Sequence, residues 1–172
     1  MALDGMEFRR LIEQHQGMVF SLALRVTGER GTAEEVAQDV FLELHRSGER
    51  LNGDDHARFW LRRVTVHRAT DALRRRAARP DMAAEEFQEH DGLAEDATVT
   101  RYALEARLEE LLQSLPEPLR VAVVLRYQEG MMPEEIAALL HQPLATVKSH
   151  LQRGLHLLRR KAATTMKEFV RT

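Results

Sequence analysis

Residues 133–160 read PEEIAALLHQPLATVKSHLQRGLHLLRR, which predicts a short helix, a tight turn and a second helix. Pro133 suits the first turn of a helix, where its missing N–H would have no partner, and the two glutamates after it lie near the positive end of the helix dipole. The turn falls at residues 141–143, and apolar residues then recur at helical spacing from Val147 to Leu158. This is the element order of a helix-turn-helix, whose second helix enters the major groove of DNA.

The second helix of this unit has a polar and basic face opposite Val147 and Leu151. Its side chains are of the types that bond to phosphates or base edges, namely Thr146, Lys148, Ser149, His150, Gln152 and Arg153. An ordinary helical hairpin with a solvated face has a similar pattern, so both interpretations stay open on these residues alone.

The composition is that of a soluble, folded, helix-rich chain. Of its 172 residues, 44% are hydrophobic and 30% are charged. The absence of cysteine excludes disulfides and thiolate metal sites. No segment approaches the roughly 20 apolar residues of a membrane span, and the N-terminus lacks the features of a signal peptide. We therefore expect a cytoplasmic protein.

Apolar residues at helical spacing predict three helices before residue 80 and four after residue 100, with no strand pattern. We expect an all-α fold of two small helical domains, an N-terminal bundle at residues 1–79 and a C-terminal helix-turn-helix bundle at residues 101–172. Residues 80–100 carry a net charge of −7 with no apolar stripe, which predicts a flexible acidic linker.

The charge is unevenly distributed along the chain. The total is only −2, yet residues 58–79 carry +7 and residues 144–172 carry +6, on either side of the acidic segment. A near-neutral total therefore conceals two basic blocks that can attract phosphate.

The first basic block lies on the predicted third helix. Single-stranded DNA binding needs backbone charge together with pockets or stacking surfaces for bases. The candidates are Arg58, Arg62, Arg75, Trp60 and His67, with Asn52 and Asp54 in the preceding loop. For Trp60 the preferred alternative is a core aromatic, and for the arginines it is a solvated face.

Several segments together resemble a family of bacterial transcription proteins. In the C-terminal half these are LPE (115–117), VLRY (124–127), EG (129–130), EEIA (134–137) and TVKSHL (146–151). In the N-terminal half they are AEEVAQDVFL (33–42) and the span from FWL (59–61) to DALRRR (71–76). Their order and spacing over residues 6–161 resemble RNA polymerase sigma factors of the sigma-70 family, in the extracytoplasmic-function (ECF) group.

The resemblance implies a sigma factor that binds core RNA polymerase and directs promoter recognition and transcription initiation. The helix-turn-helix would read duplex −35 DNA, and the third helix and its preceding loop would read the non-template strand at −10. The second helix would dock on polymerase through Glu34, Glu35, Gln38, Asp39 and Glu43. The resemblance also implies an anti-sigma partner.

The sequence departs from the family pattern at three places. Val66-His67 stands where many members have Arg-Asn, His141 stands at a turn where Gly or Asn is frequent, and His150 replaces a common Arg. These differences bear on which promoter is read rather than on the class of protein.

Two other functions fit parts of the pattern. A conventional dimeric regulator would share Thr146-Val147-Lys148 and bind promoters without polymerase, whereas a helical adaptor would bind only protein. The eight histidines form no metal motif, and the sequence has neither a phosphate-binding loop nor a nucleophile elbow. We therefore expect no enzymatic activity, no metal and no cofactor.

Overall fold

The computed structural model describes residues 3–47, 51–79 and 96–170, and these residues form helices without any strand. The helices in chain order are α1 Gly5–Thr27, α2 Arg30–Ser47, α3 Asp54–Ala77, α4 Asp96–Gln113, α5 Glu117–Tyr127, α6 Pro133–Leu140 and α7 Leu144–Val170. The predicted all-α fold is confirmed.

Helices α1, α2 and α3 pack against one another and form the N-terminal domain. Each contributes apolar side chains at helical spacing, and the innermost are fully buried: Val19, Leu22, Val26, Val40, Leu44 and Leu61. Helix α1 begins after Asp4, whose side chain accepts a hydrogen bond from the Met6 amide, and ends at Gly28 with a φ of 75°. Glycine adopts this left-handed backbone without the steric cost of a Cβ atom.

The C-terminal domain is built on the contact between α5 and α7. Residues 119–125 of α5 are all buried, as expected for a helix surrounded by its neighbours. Gly154 of α7 faces α5 so closely that a Cβ atom there would lie 2.8 Å from Cγ2 of Val123. The absence of a side chain at residue 154 therefore sets how closely the two helices approach.

Helix α4 begins earlier than the sequence predicts. Residues 96–100, which we expected in the linker, belong to the helix, while residues 80–95 of the expected linker lie outside the described residues. Residues 101–106 are all exposed, so the helical apolar spacing that begins at Leu104 does not mark a buried face in this part of α4. Leu104 and Leu108 are correspondingly exposed, whereas Leu112 is buried.

The two domains touch each other. Helix α1 contacts α4 and α5, and α3 contacts α6. Among the described helices, none is long and apolar enough to cross a membrane.

Candidate nucleic-acid interface

The outer face of α7 has the arrangement that its sequence predicts. Val147 and Leu151 are buried against the rest of the domain. Lys148, Gln152 and Arg153 are exposed on the opposite side. Thr146, Ser149 and His150 are half-buried at the edges of this face. Six candidate side chains are thus held by a helix whose other side is fixed in the core, which suits a groove-reading element.

The turn between α6 and α7 depends on His141. This residue has a φ of 52° and a ψ of 45°, in the left-handed region. Its amide donates to the carbonyl of Ala137 and so caps α6. Non-glycine residues adopt this conformation at a cost, and histidine does so more readily than branched residues. The left-handed turn expected of a helix-turn-helix is therefore present with histidine at the position that glycine usually occupies.

Asp54, the first residue of α3, lies close to α1 as well as to the next turn of its own helix. Its two carboxylate oxygens lie 3.1 Å from Nε2 of the buried His15 and 3.0 Å from Nη2 of Arg58. Asn52 precedes this contact, and its main-chain N–H donates to Nδ1 of His56 at 3.0 Å. The side chains of Asn52 and Arg58 remain exposed, so the structure presents both at the start of α3.

Arg62 is not free in this arrangement. Its Nε donates to Oε2 of Glu129 at 2.8 Å, and only 17% of its side chain is exposed. Glu129 belongs to the C-terminal domain, so a candidate DNA-binding arginine is paired across the two domains. His67 and Arg75, by contrast, are exposed on α3.

Trp60 lies in the core of the N-terminal domain and is 4% exposed. A buried indole offers no face on which a base could stack, so Trp60 is removed from the candidate −10 residues and the core alternative holds. Val66 is also buried, at 4% exposure. Its burial explains why an apolar residue stands at a position where many family members have Arg.

The acidic face of α2 is only partly free. Glu35, Gln38 and Asp39 are exposed, and Glu34 makes an exposed pair with Arg30. Glu43 is half-buried and accepts a hydrogen bond from Nε of Arg68 on α3 at 2.9 Å. Because Glu43 links α2 to α3, it has a role within the domain that the sequence did not indicate.

Beside this acidic face runs an apolar groove of ≈ 740 Å³ between α1 and α2. Glu34 and Gln38 lie on its lining together with the apolar side chains of Phe8, Ile12, Phe20, Phe41 and Leu42. Leu42 is 48% exposed and adds an accessible apolar side chain to the groove. The sequence does not reveal this groove, because its two walls come from different helices. A local signal was Leu42 itself, an apolar residue that lies outside the stripe of Val36, Val40 and Leu44.

The described part of the chain holds no cluster of three or more His, Cys, Asp or Glu residues that could bind a metal ion. Two groups at or beside the candidate site residues have a shifted pKa. Burial and, to a smaller extent, the charge of Arg153 lower the pKa of His150 below its ordinary value of 6.5. Hydrogen bonding to Glu43 raises the pKa of Arg68. Neither arrangement resembles a general acid–base pair.

Comparison with known families identifies both domains. Residues 11–79 match the family described as Sigma-70 region 2, and residues 105–158 match Sigma-70, region 4. The chain is 32% identical over 161 residues to the RNA polymerase sigma-H factor of Pseudomonas aeruginosa, covering 88% of this chain and 83% of that protein. It is 31% identical over 161 residues to the ECF RNA polymerase sigma-E factor of Escherichia coli K12, covering 88% and 84%.

Solved structures share the fold. The sigma factor RpoE, in complex with the anti-sigma factor NepR from Bartonella quintana, aligns with a TM-score of 0.67 at 16% identity over 90% of this chain and 95% of RpoE. CnrH, in complex with the cytosolic domain of CnrY, aligns with a TM-score of 0.64 at 23% identity over 94% and 90%. The chain therefore belongs to the sigma-70 family and is an RNA polymerase sigma factor of the extracytoplasmic-function group.

Proposed function

We propose that this sigma factor reads duplex −35 DNA with the exposed face of α7 and holds the non-template −10 strand with α3 and the loop before it. The observation that carries the proposal is the pair of opposite faces on α7. Lys148, Gln152 and Arg153 are exposed, while Val147 and Leu151 fix the helix in the domain. The corresponding candidates are Asn52 in the loop before α3 and, on α3, Asp54, Arg58, Arg62, His67 and Arg75.

Run-off transcription with core polymerase and a candidate promoter tests this function. The sigma factor should direct initiation only together with core enzyme, because the polymerase supplies the chemistry and this chain supplies recognition. Promoter binding as a dimer in the absence of polymerase would instead favour a conventional regulator. No salt-dependent binding to DNA, with or without polymerase, would favour a protein-only adaptor.

The pH dependence of −35 binding follows from His150. In the free protein, burial and the nearby Arg153 lower its pKa, which favours the neutral imidazole. A DNA phosphate nearby favours the charged imidazolium, so the pKa is higher in the complex and binding takes up a proton. Affinity should therefore rise as the pH falls through the pKa of the complex and level off below the pKa of the free protein.

Fluorescence anisotropy with a −35 duplex between about pH 5.5 and 8 measures this dependence, and a shift of one pKa unit corresponds to about tenfold in affinity. His150→Gln should flatten the profile. His156→Gln is the matched control, because His156 is exposed further along the same helix. Equal pH profiles for the wild type and His150→Gln would show that His150 is not near a phosphate.

Core polymerase is proposed to dock on the groove between α1 and α2 and on the acidic residues beside it. The groove offers Phe41 and the exposed Leu42 as apolar contacts. Glu34, Glu35, Gln38 and Asp39 offer polar contacts around it. A central apolar contact with a polar rim is the usual composition of a protein interface. Glu43 is a weaker candidate, since its carboxylate is engaged with Arg68.

Leu42→Asp tests the docking site. Because Leu42 is 48% exposed, the substitution should leave the fold intact, and a charge in the centre of an apolar contact should lower affinity for core polymerase by about tenfold or more. Gln14→Asp adds the same charge at an exposed position of α1 that does not line the groove. If both variants bind core polymerase like the wild type, the docking site lies elsewhere.

A separate anti-sigma protein is proposed as a further partner. RpoE, whose fold this chain shares, was solved with the anti-sigma factor NepR. The proposed place of action is the cytoplasm, where polymerase and chromosome are found.

A further inference from the structure

A histidine stands in the apolar stripe of α1. His15 lies between Leu11 and Val19 at helical spacing, and all three side chains are buried. His15 is only 3% exposed. An apolar residue would fill this position at a lower cost, because a buried polar group loses its hydration. Packing alone therefore does not account for an imidazole here.

The imidazole faces the start of α3. Its Nε2 atom lies 3.1 Å from Oδ1 of Asp54, the first residue of that helix. The two atoms are within hydrogen-bond distance, but Nε2 has no well-aligned hydrogen-bond partner among the described residues. A buried polar atom without an aligned partner is costly. The cost favours a position of Asp54 that faces α1 and completes the bond.

The first turn of α3 is fixed by the side chain of Asp54. The N-cap residue is Gly53, which offers no side chain to the free amides of this turn. Oδ2 of Asp54 lies 3.0 Å from Nη2 of Arg58, one turn further along the same helix. Oδ1 is the atom that faces His15 on α1. The same carboxylate thus connects the first turn of α3 to the core of the domain.

The loop before α3 is tied to this turn as well. The main-chain N–H of Asn52 donates to Nδ1 of His56 at 3.0 Å. Asn52 and Arg58 are exposed on the tip of α3, defined here as residues 52–58. A binding surface keeps its geometry when side chains beneath it hold it in place. His15 supplies such support from the core of α1.

We propose that His15 is a positioning residue for −10 recognition, which holds the carboxylate of Asp54 from the core and so orients the tip of α3 against the non-template strand. The inference deepens the proposed function and rests on it, because Asn52, Asp54 and Arg58 are proposed contacts to that strand. Since His15 is buried, its effect passes through Asp54. Selection among bases needs side chains held to within about 0.5 Å, so the effect falls on base preference.

Two variants separate the polar atom of His15 from the volume of its side chain. His15→Leu fills the space without a hydrogen-bond donor, whereas His15→Gln offers an amide N–H to Asp54. Thr27→Val is the matched control, because it also removes a buried polar group from α1. The hydroxyl of Thr27 donates to the carbonyl of Ala23 in the same helix, about 18 Å from His15 along its axis.

Base preference is measured with the holoenzyme on a promoter library. The templates are randomised in the −35 and −10 segments, and each carries a barcode in its transcript that is counted by sequencing. The wild type should prefer particular bases in both segments. His15→Leu should reduce the strongest −10 preference about tenfold and leave the −35 preferences unchanged. His15→Gln and Thr27→Val should match the wild type in both segments.

Thermal unfolding distinguishes positioning from a general weakening of the domain. Replacing a buried polar contact by a well-packed apolar side chain is often neutral or stabilising, so the midpoint for His15→Leu should equal or exceed that of the wild type. If His15→Leu does not fold, His15→Met fills the same space with a more adaptable side chain. Failure of both variants to fold, or equal losses of preference at −35 and −10, would assign His15 a structural role and overturn the proposal.

A second measurement tests whether His15 acts through Asp54. Asp54→Ala removes the carboxylate, so adding His15→Leu to it should cause no further loss of −10 preference. Additive losses would contradict the proposed route. A wild-type holoenzyme without any −10 preference would refute the proposed function. A wild-type −10 preference that His15→Leu retains in full would refute only the role of His15.

Discussion

Lys148→Ala and Arg153→Ala should each weaken promoter binding by the holoenzyme while leaving the fold intact, because both side chains are exposed on α7. Lysine is a flexible point charge that suits a phosphate. Its loss should lower affinity for all promoters alike and reduce the slope of log affinity against log salt by about one unit. Arginine has a planar fork that can grip a phosphate or a guanine edge. If Arg153 reads a base, its loss should cost roughly 1–3 kcal/mol at one −35 position and leave the other positions unaffected.

The measurement compares −35 sequence variants at several salt concentrations, by duplex binding and by run-off transcription. Arg159→Ala is the matched control. It removes one positive charge from an exposed position of α7 about 16 Å beyond Lys148, past the helix start that enters the groove. Unchanged salt slope and unchanged sequence preference in both the Lys148 and Arg153 variants would show that this face of α7 does not contact DNA.

Gly154→Ala should destabilise the C-terminal domain, although alanine favours helices. The added Cβ atom would lie 2.8 Å from Cγ2 of Val123 and 3.5 Å from the carbonyl oxygen of Leu119. Valine has one strongly preferred rotamer in a helix, so its methyl group cannot rotate away. The overpacking should cost about 1–3 kcal/mol, against a gain of about 0.5–1 kcal/mol from replacing glycine within a helix. We expect a net fall of about 1–2 kcal/mol in the free energy of unfolding.

Thermal and urea unfolding measure this effect, with Gly17→Ala as the control. A Cβ atom at residue 17 of α1 would have no neighbour within 4 Å, so that variant should gain about 0.5–1 kcal/mol. Combining Gly154→Ala with Val123→Ala gives the new methyl group room, so the double variant should be more stable than the sum of the single effects implies. A stabilised Gly154→Ala variant would contradict the close approach of α5 and α7.

The sequence alone predicts much of the buried face of α1, α2 and α7, because that information recurs every three or four residues within one element. It therefore predicts the exposed side chains of α7, including Lys148 and Arg153, and the buried side chain of Val147. It also carries the family resemblance, since the matching motifs are contiguous. It does not reveal the start of α4, because residues 80–100 show no apolar residues at helical spacing.

Tertiary structure decides which residues of separate elements meet. Arg62 is an exposed basic residue by its local pattern, yet it pairs with Glu129, 67 positions away. The groove beside Leu42 exists only because α1 and α2 lie side by side. By its local pattern Gly154 only weakens a helix, and the tertiary structure shows that Val123 lies too close to leave room for a Cβ atom there. The physical reason is that local periodicity encodes burial, a property of one helix face. A pairing across domains depends on the relative placement of two folded units, which no short segment specifies.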